Sequence, residues 1–235
     1  MTLVTDDVDA GDLANRRRVF SYMTLSEHIA ELSGCRRCGH PEPVVPIVSL
    51  ARHAKVMLVG QAPGKVEIDS RKPFAGRAGR TLFKWLEVAG LDEAEARKRI
   101  YISAMTRCFP GPHPSGRGDR VPSRQELQMC RSWLEDELRL IRPRLIIPVG
   151  KLAIGYFLGD LPLSDTVGKS HQASHVGGSS LVIPLPHPSG ASSWIHTLGH
   201  RELVARALRL IGEEMQPTRS TLRPSRTRPS GRNAA

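Results

Sequence analysis

Short unbroken apolar runs of strand length occur at Lys55–Gly60, Ile100–Ala104, Leu145–Val149 and Leu181–Leu185. Around them the rhythm changes, and apolar positions recur three and four residues apart, the spacing of one face of a helix. Residues 77–90 place Leu82, Trp85, Leu86 and Ala89 on such a face and end at Gly90, a natural C-terminal stop. Ser123 and Glu126 form a capping box that opens a long helix, with Leu127, Cys130, Leu134, Leu138 and Ile141 on its inner face. Thr24 and Glu27 make the same box for a helix over 24–33, and residues 151–158 and 199–214 are further helices. Strands alternating with helices predict βαβ units and a four-stranded, mostly parallel sheet in an α/β fold. The functional loops then gather at the carboxyl ends of the strands. One crevice should hold GQAPG after the first strand, the segment from Ala104 through CFPG after the second, and PHPSG at 186–190 after the fourth.

Composition sets the boundaries. Residues 216–235 carry five arginines, three prolines and no acid, and bury too little to offset ordering entropy, so a disordered basic tail is expected there. Residues 1–23 are expected to be a flexible lead, and 24–215 a single domain. No stretch is long and apolar enough to span a membrane, and the acidic start MTLVTDDVDAGDL is unlike a signal peptide. The expectation is a cytoplasmic monomer whose thiols stay reduced. The net charge of +11 includes the five tail arginines, so the remainder is still +6. Such a balance points to a polyanion, nucleic acid above all.

Four cysteines are present: Cys35 and Cys38 in GCRRCGHP, Cys108 after the second strand, and Cys130 on the long helix. Together they make a four-thiolate site for zinc or an iron–sulfur cluster, between which spacing does not decide. The loop GQAPGKVEIDSRKPF lacks the Gly-Lys-Ser/Thr of a phosphate cradle, and Pro63 breaks the dinucleotide pattern. Its glycines, Gly60 among them, instead let exposed backbone N–H groups approach a flat ligand's carbonyl, while Phe74, stiffened by Pro73, stacks on the ligand's face. His187, between prolines, can donate to a developing oxyanion, and Ser189 and Gly190 can reach a phosphate.

In order, C-x-x-C, GQAPG, KPFAGRAGRTLF, TRCFPG, PSRQELQMC, RPRLIIPVGKLA and PHPSG resemble the iron–sulfur branches, families 4 and 5, of the uracil-DNA glycosylase superfamily over roughly residues 30–212. The resemblance implies a three-layer sandwich around the sheet and a monofunctional enzyme that hydrolyses the N-glycosidic bond of uracil in DNA. Phe74 would stack on the flipped base, while the Gln61–Ala62 backbone and His187 meet its O2. Cys35, Cys38, Cys108 and Cys130 would bind a [4Fe–4S] cluster in preference to zinc. A metal-stapled DNA-binding module without catalysis is the rival reading.

The chain departs from that pattern in several places. Family 4 has a glutamate where Gln61 stands, so Gln61 would only orient water, with Asp69 or Glu67 as the carboxylate and Asp69 preferred. Ala104 replaces an asparagine that reads uracil, which admits hypoxanthine or xanthine as well. The interval from Cys108 to Cys130 is long, and Arg117 and Arg120 in it are candidate contacts to the DNA backbone. His113 lies where a covalently bonding branch has its histidine. Trp194 stands near the place of a wedge residue.

Overall fold

The computed structural model describes residues 23–39, 45–116, 118–189 and 193–216. Of the flexible lead expected over 1–23 and the basic tail expected over 216–235, residues 1–22 and 217–235 lie outside the described residues, as do Arg117 and Gly190.

In chain order the described elements are α1 (Leu25–Ser33), β1 (Val56–Gly60), α2 (Lys65–Ser70), α3 (Arg77–Val88), α4 (Glu93–Arg99), β2 (Ile100–Ala104), α5 (Arg124–Ile141), β3 (Leu145–Pro148), α6 (Lys151–Leu158), α7 (Leu163–Thr166), β4 (His171–His175), β5 (Gly178–Val182) and α8 (Leu198–Met215), with a 3₁₀ turn at Ser193–His196 before α8. Both long capping boxes form. Thr24 Oγ1 accepts the Glu27 N–H at 3.2 Å, and Ser123 Oγ accepts the Glu126 N–H at 3.2 Å.

The sheet has five strands, not four, in the order β2-β1-β3-β5-β4. β2, β1, β3 and β5 run parallel, and β4 pairs antiparallel with β5 as a hairpin at the edge. The additional strand reads HQASH, with no apolar alternation to reveal it. Pro184 interrupts the last expected strand, yet the run stays in register beyond it: the Leu185 N–H donates to the Pro148 carbonyl at 2.9 Å.

Alternation along β1, β2 and β3 builds two cores. Val56, Leu58, Ile102 and Ile147 face a layer that includes Leu82, Leu86, Ala96, Leu208 and Ile211 from α3, α4 and α8. Met57, Val59, Tyr101 and Ile146 face a layer that includes Ile29, Leu134, Leu138 and Ala153 from α1, α5 and α6. The three-layer α/β sandwich is therefore present, and its strands end along one edge where the loops collect.

Candidate active site

The loop after β1 leaves the sheet with its carbonyls occupied. Gly60 O accepts the Met105 N–H at 2.9 Å, and Gln61 O accepts the Thr106 N–H at 3.2 Å. Among the described residues no acceptor takes the N–H of Gln61 or Ala62. The next residues are helical where a loop was expected. α2 turns Glu67 inward, and its carboxylate accepts the N–H of Gly64 at 2.9 Å and of Gly76 at 3.0 Å. That buried carboxylate satisfies the amides a phosphate would need, a physical reason why the glycine loop is not a phosphate cradle.

Phe74 sits in the left-handed region, with φ of 54°. Three contacts hold it there. Arg97 of α4 donates from Nη1 to the Pro73 carbonyl at 2.8 Å and from Nη2 to the Phe74 carbonyl at 3.2 Å. The Phe74 ring lies against Gly60, its Cζ 2.8 Å from where a Cβ would stand. The Phe74 carbonyl lies against Gly79 on α3, where a Cβ would overlap it. Strain of this kind persists only when the surroundings over-determine it, and here they fix an aromatic ring at the end of β1.

His187, after β5, is half-buried and lines the same cavity as Phe74. The Ser189 N–H donates to its Nδ1 at 3.3 Å, and Ser189 Oγ lies 2.9 Å from the same nitrogen. A backbone N–H can only donate, so Nδ1 accepts and the neutral ring carries its proton on Nε2. Burial lowers the His187 pKa below its ordinary value, which favours this neutral form. Ser189, expected at a phosphate, is engaged in setting the histidine's tautomer.

These pieces share one cavity of about 460 Å³, lined by Gln61, Ala62, Phe74, Ala104, His187 and Ser189, with Lys65, Arg77, Asp119 and Arg120 toward the mouth. Gly60 stands behind the Phe74 ring. Asp69 does not line it: it is exposed on α2. Arg120 reaches Glu126 in a bidentate pair, at 2.7 and 2.6 Å, so it pins its own loop. His113 is exposed, with Nδ1 2.7 Å from Ser115 Oγ, and is absent from the lining. Trp194 stacks on His200 with ring centroids 4.0 Å apart, as a packed aromatic. A larger cavity of about 810 Å³ between α5 and α6 also touches Gln61, but its floor is apolar and it contains neither Phe74 nor His187.

The four cysteines approach one another from three segments. Cys108 and Cys130 are buried, and Cys35 and Cys38 are half-buried. Burial first, then charge on the other three cysteines, pushes the Cys108 thiol up to about 12. Burial pushes Cys130 up to about 11, against the Arg107 charge and the N–H that Arg107 donates to its sulfur. Trp133 Nε1–H donates to Cys35 Sγ at 3.3 Å. As the side chains stand, no three His, Cys, Asp or Glu groups among the described residues clasp a single point. The donor set nonetheless fits a metal group: four thiols close enough to perturb one another, with N–H groups aimed at two sulfurs.

Sequence reasoning missed Arg97, whose link to Phe74 is purely tertiary, and Glu137 on α5. Glu137 is fully buried and accepts from Tyr101 Oη at 2.7 Å, Ser103 Oγ at 2.9 Å and Arg107. Burial opposes its charge, but Arg107, His28 and Tyr101 outweigh it and hold the carboxyl below its ordinary range. An acid at an inward helical position was the available signal.

The family model of the Uracil DNA glycosylase superfamily matches residues 48–209. A Type-4 uracil-DNA glycosylase of Archaeoglobus fulgidus is 29% identical over 71% of this chain and 82% of its own length. One from Saccharolobus solfataricus is 30% identical over 71% of this chain and 75% of its own length. A Type-5 uracil-DNA glycosylase of Pyrobaculum aerophilum is 31% identical over 58% of this chain and 60% of its own length. With this match spanning the sheet and all of the cavity lining but Ile47, the chain belongs to the uracil DNA glycosylase superfamily.

Proposed function

We propose that the protein is a monofunctional DNA glycosylase that takes uracil, flipped from DNA, into the 460 Å³ cavity and hydrolyses its N-glycosidic bond. The observation that carries this reading is the convergence of unpartnered Gln61 and Ala62 N–H groups, a fixed Phe74 and a neutral His187 in one cavity. A DNA-binding module has no use for such a set.

Phe74 stacks on the base. The Gln61–Ala62 amides and His187 Nε2–H meet the uracil O2. As the C1′–N1 bond breaks, its electron pair moves onto the base, and these fixed donors bind the charge most strongly as it forms. The Gln61 carboxamide orients the water that adds to C1′. Exposed Lys65 and Arg77 at the mouth suit the flanking phosphates.

Cys35, Cys38, Cys108 and Cys130 would hold a [4Fe–4S] cluster; the four thiols alone suit zinc as well, and the preference rests on the resemblance to the iron–sulfur branches of the superfamily. When bound, the cluster supplies a structural crosslink, and none of its four cysteines lines the cavity.

The test is a uracil-containing oligonucleotide incubated with folded, metal-loaded protein, cleaved at abasic sites with alkali beside a cytosine control. A shortened uracil strand and an intact control are expected. An uncut uracil strand would reject the reading. Ala104 puts only a methyl group on the cavity wall, so strands carrying hypoxanthine or xanthine belong in the same assay.

A further inference from the structure

The reaction needs a group to take a proton from water, and the carboxylates near the cavity can be ruled out in turn. Gln61 is an amide and cannot accept that proton near neutral pH. Glu67 is buried and holds the loop together, each of its oxygens accepting one backbone N–H, from Gly64 and from Gly76. Asp69 is not among the residues that line the cavity. The remaining carboxylate on the cavity is Asp119, among the described residues.

Asp119 arrives there through a small hairpin in the long interval between Cys108 and Cys130. Pro112 and Asp119 form an antiparallel bridge. The His113 N–H donates to the Gly118 carbonyl at 2.9 Å, and the Arg120 N–H to the Gly111 carbonyl at 3.0 Å. The bidentate pair from Arg120 to Glu126 anchors this hairpin to the first turn of α5. Its end presses on the glycine loop: Asp119 Oδ2 lies 2.8 Å from where a Cβ on Gly64 would be. Only a glycine at 64 lets the carboxylate come this close. No described residue donates a hydrogen bond to the Asp119 side chain, so both oxygens can receive water.

We propose that Asp119, which this hairpin holds against Gly64 at the exposed mouth of the cavity that Gln61 lines, is the catalytic carboxylate that activates the hydrolytic water, in the role left vacant by the amide at 61. The inference rests on the glycosylase reading. In the step, the base departs with the electron pair of C1′–N1, and the water oxygen bonds to C1′. One water proton passes to the Asp119 carboxylate and then to solvent, while the base anion is protonated from solvent. Gln61 holds the water, and Asp119 takes its proton. Burial, then the neighbouring Glu67 charge, raises the Asp119 pKa above its ordinary value, which strengthens it as a base.

The test is single-turnover excision of uracil by wild type, D119N, D69N and the double variant Q61E/D119N, each checked for folding by thermal melt. Binding is measured with an uncleavable 2′-fluoro-2′-deoxyuridine oligonucleotide. D119N should lose about 10²-fold in rate, the lower end for general-base catalysis. Its affinity for the analogue should be retained, and Q61E should restore a large part of the loss by returning a carboxylate to the same water. A hairpin role that is only structural gives no such rescue. D119N at the wild-type rate, or a loss confined to D69N, overturns the inference and leaves the glycosylase reading standing. A covalent adduct between Asp119 and abasic DNA overturns water activation in favour of direct attack. Wild type that leaves uracil DNA intact overturns both.

Discussion

At His187 the histidine's role depends on one proton. The Ser189 N–H occupies Nδ1, and burial disfavours the cation, so the ring presents a neutral Nε2–H to the base. Such a donor is worth most where charge appears only in the transition state, because it then lowers the barrier without tightening substrate binding. H187A should therefore lose about 10²–10³ in single-turnover rate while binding an uncleavable uracil analogue nearly as wild type does. An unchanged rate would remove His187 from the reaction. His187 and Phe74 were legible in the sequence because prolines beside them mark rigid loop ends directly after or near a strand. Arg97 was not, since its grip on the Pro73 and Phe74 carbonyls is made across the fold. Asp119 was equally hidden: nothing in GPHPSGRGDRVP says which side of the hairpin meets Gly64. Asp69 looked favourable because it shares the glycine motif, but the turn of α2 points it outward.

Elements that carry their own end signals were the legible part of the fold. α1 and α5 announce themselves through capping boxes, which are local, and β1, β2 and β3 through apolar runs, as in parallel strands buried on both faces. α2 and α4 were missed: α4 reads EAEARKR and buries only Ala96, so it has no apolar stripe to read. β4 is a polar edge strand specified by its hairpin with β5. Where elements meet, close approach decides. Gly79 lets α3 pack on the Phe74 carbonyl, and G79A forces these backbones apart. A loss of about 3 kcal/mol in denaturant stability, with a parallel loss of base excision, is expected. Stability that falls while the folded fraction keeps its full rate would show that Phe74 need not stay where α3 puts it. The start of α5 is pH-sensitive. Arg120 above all, with Ser123, lowers the Glu126 pKa from 4.5 to about 2. A folded value below the unfolded one stabilises fully above about pH 4.5, and that stability is lost as pH falls toward 2. Urea midpoints of wild type and E126Q should therefore differ at neutral pH and converge across that window. A constant difference would mean that the Arg120–Glu126 charge pair does not anchor the hairpin.

Across the whole molecule, the segment before the sheet is tied to its middle through α5. Trp133 of α5 is the hub. Its indole N–H reaches Cys35, His28 of α1 packs on it edge-on at 5.3 Å, and the Arg37 guanidinium lies 4.6 Å from its ring. The Glu137 network beneath joins α5 to the end of β2, from which Arg107 leads into Cys108. The cysteines close this arrangement, but burial makes bare thiolates costly there, most of all at Cys108 with its value near 12. A metal group bound at these cysteines would offset that cost by replacing the protons, and its binding energy would become folding energy for this side of the molecule. The cavity lies along the edge of the sheet and shares no cysteine with that hub. C35A should thus lose the visible absorbance of an iron–sulfur cluster and melt roughly 5–15 °C lower, at about 2–4 °C per kcal/mol for a chain of this size. Its yield of folded protein should fall further than its uracil-excision rate per folded molecule. Undiminished absorbance and melting would argue against a cluster at these four residues. A full loss of excision in protein that still melts cooperatively would instead mean that the crosslink holds the loop after β2, and with it Ala104 and the Asp119 hairpin, in register with the bound base.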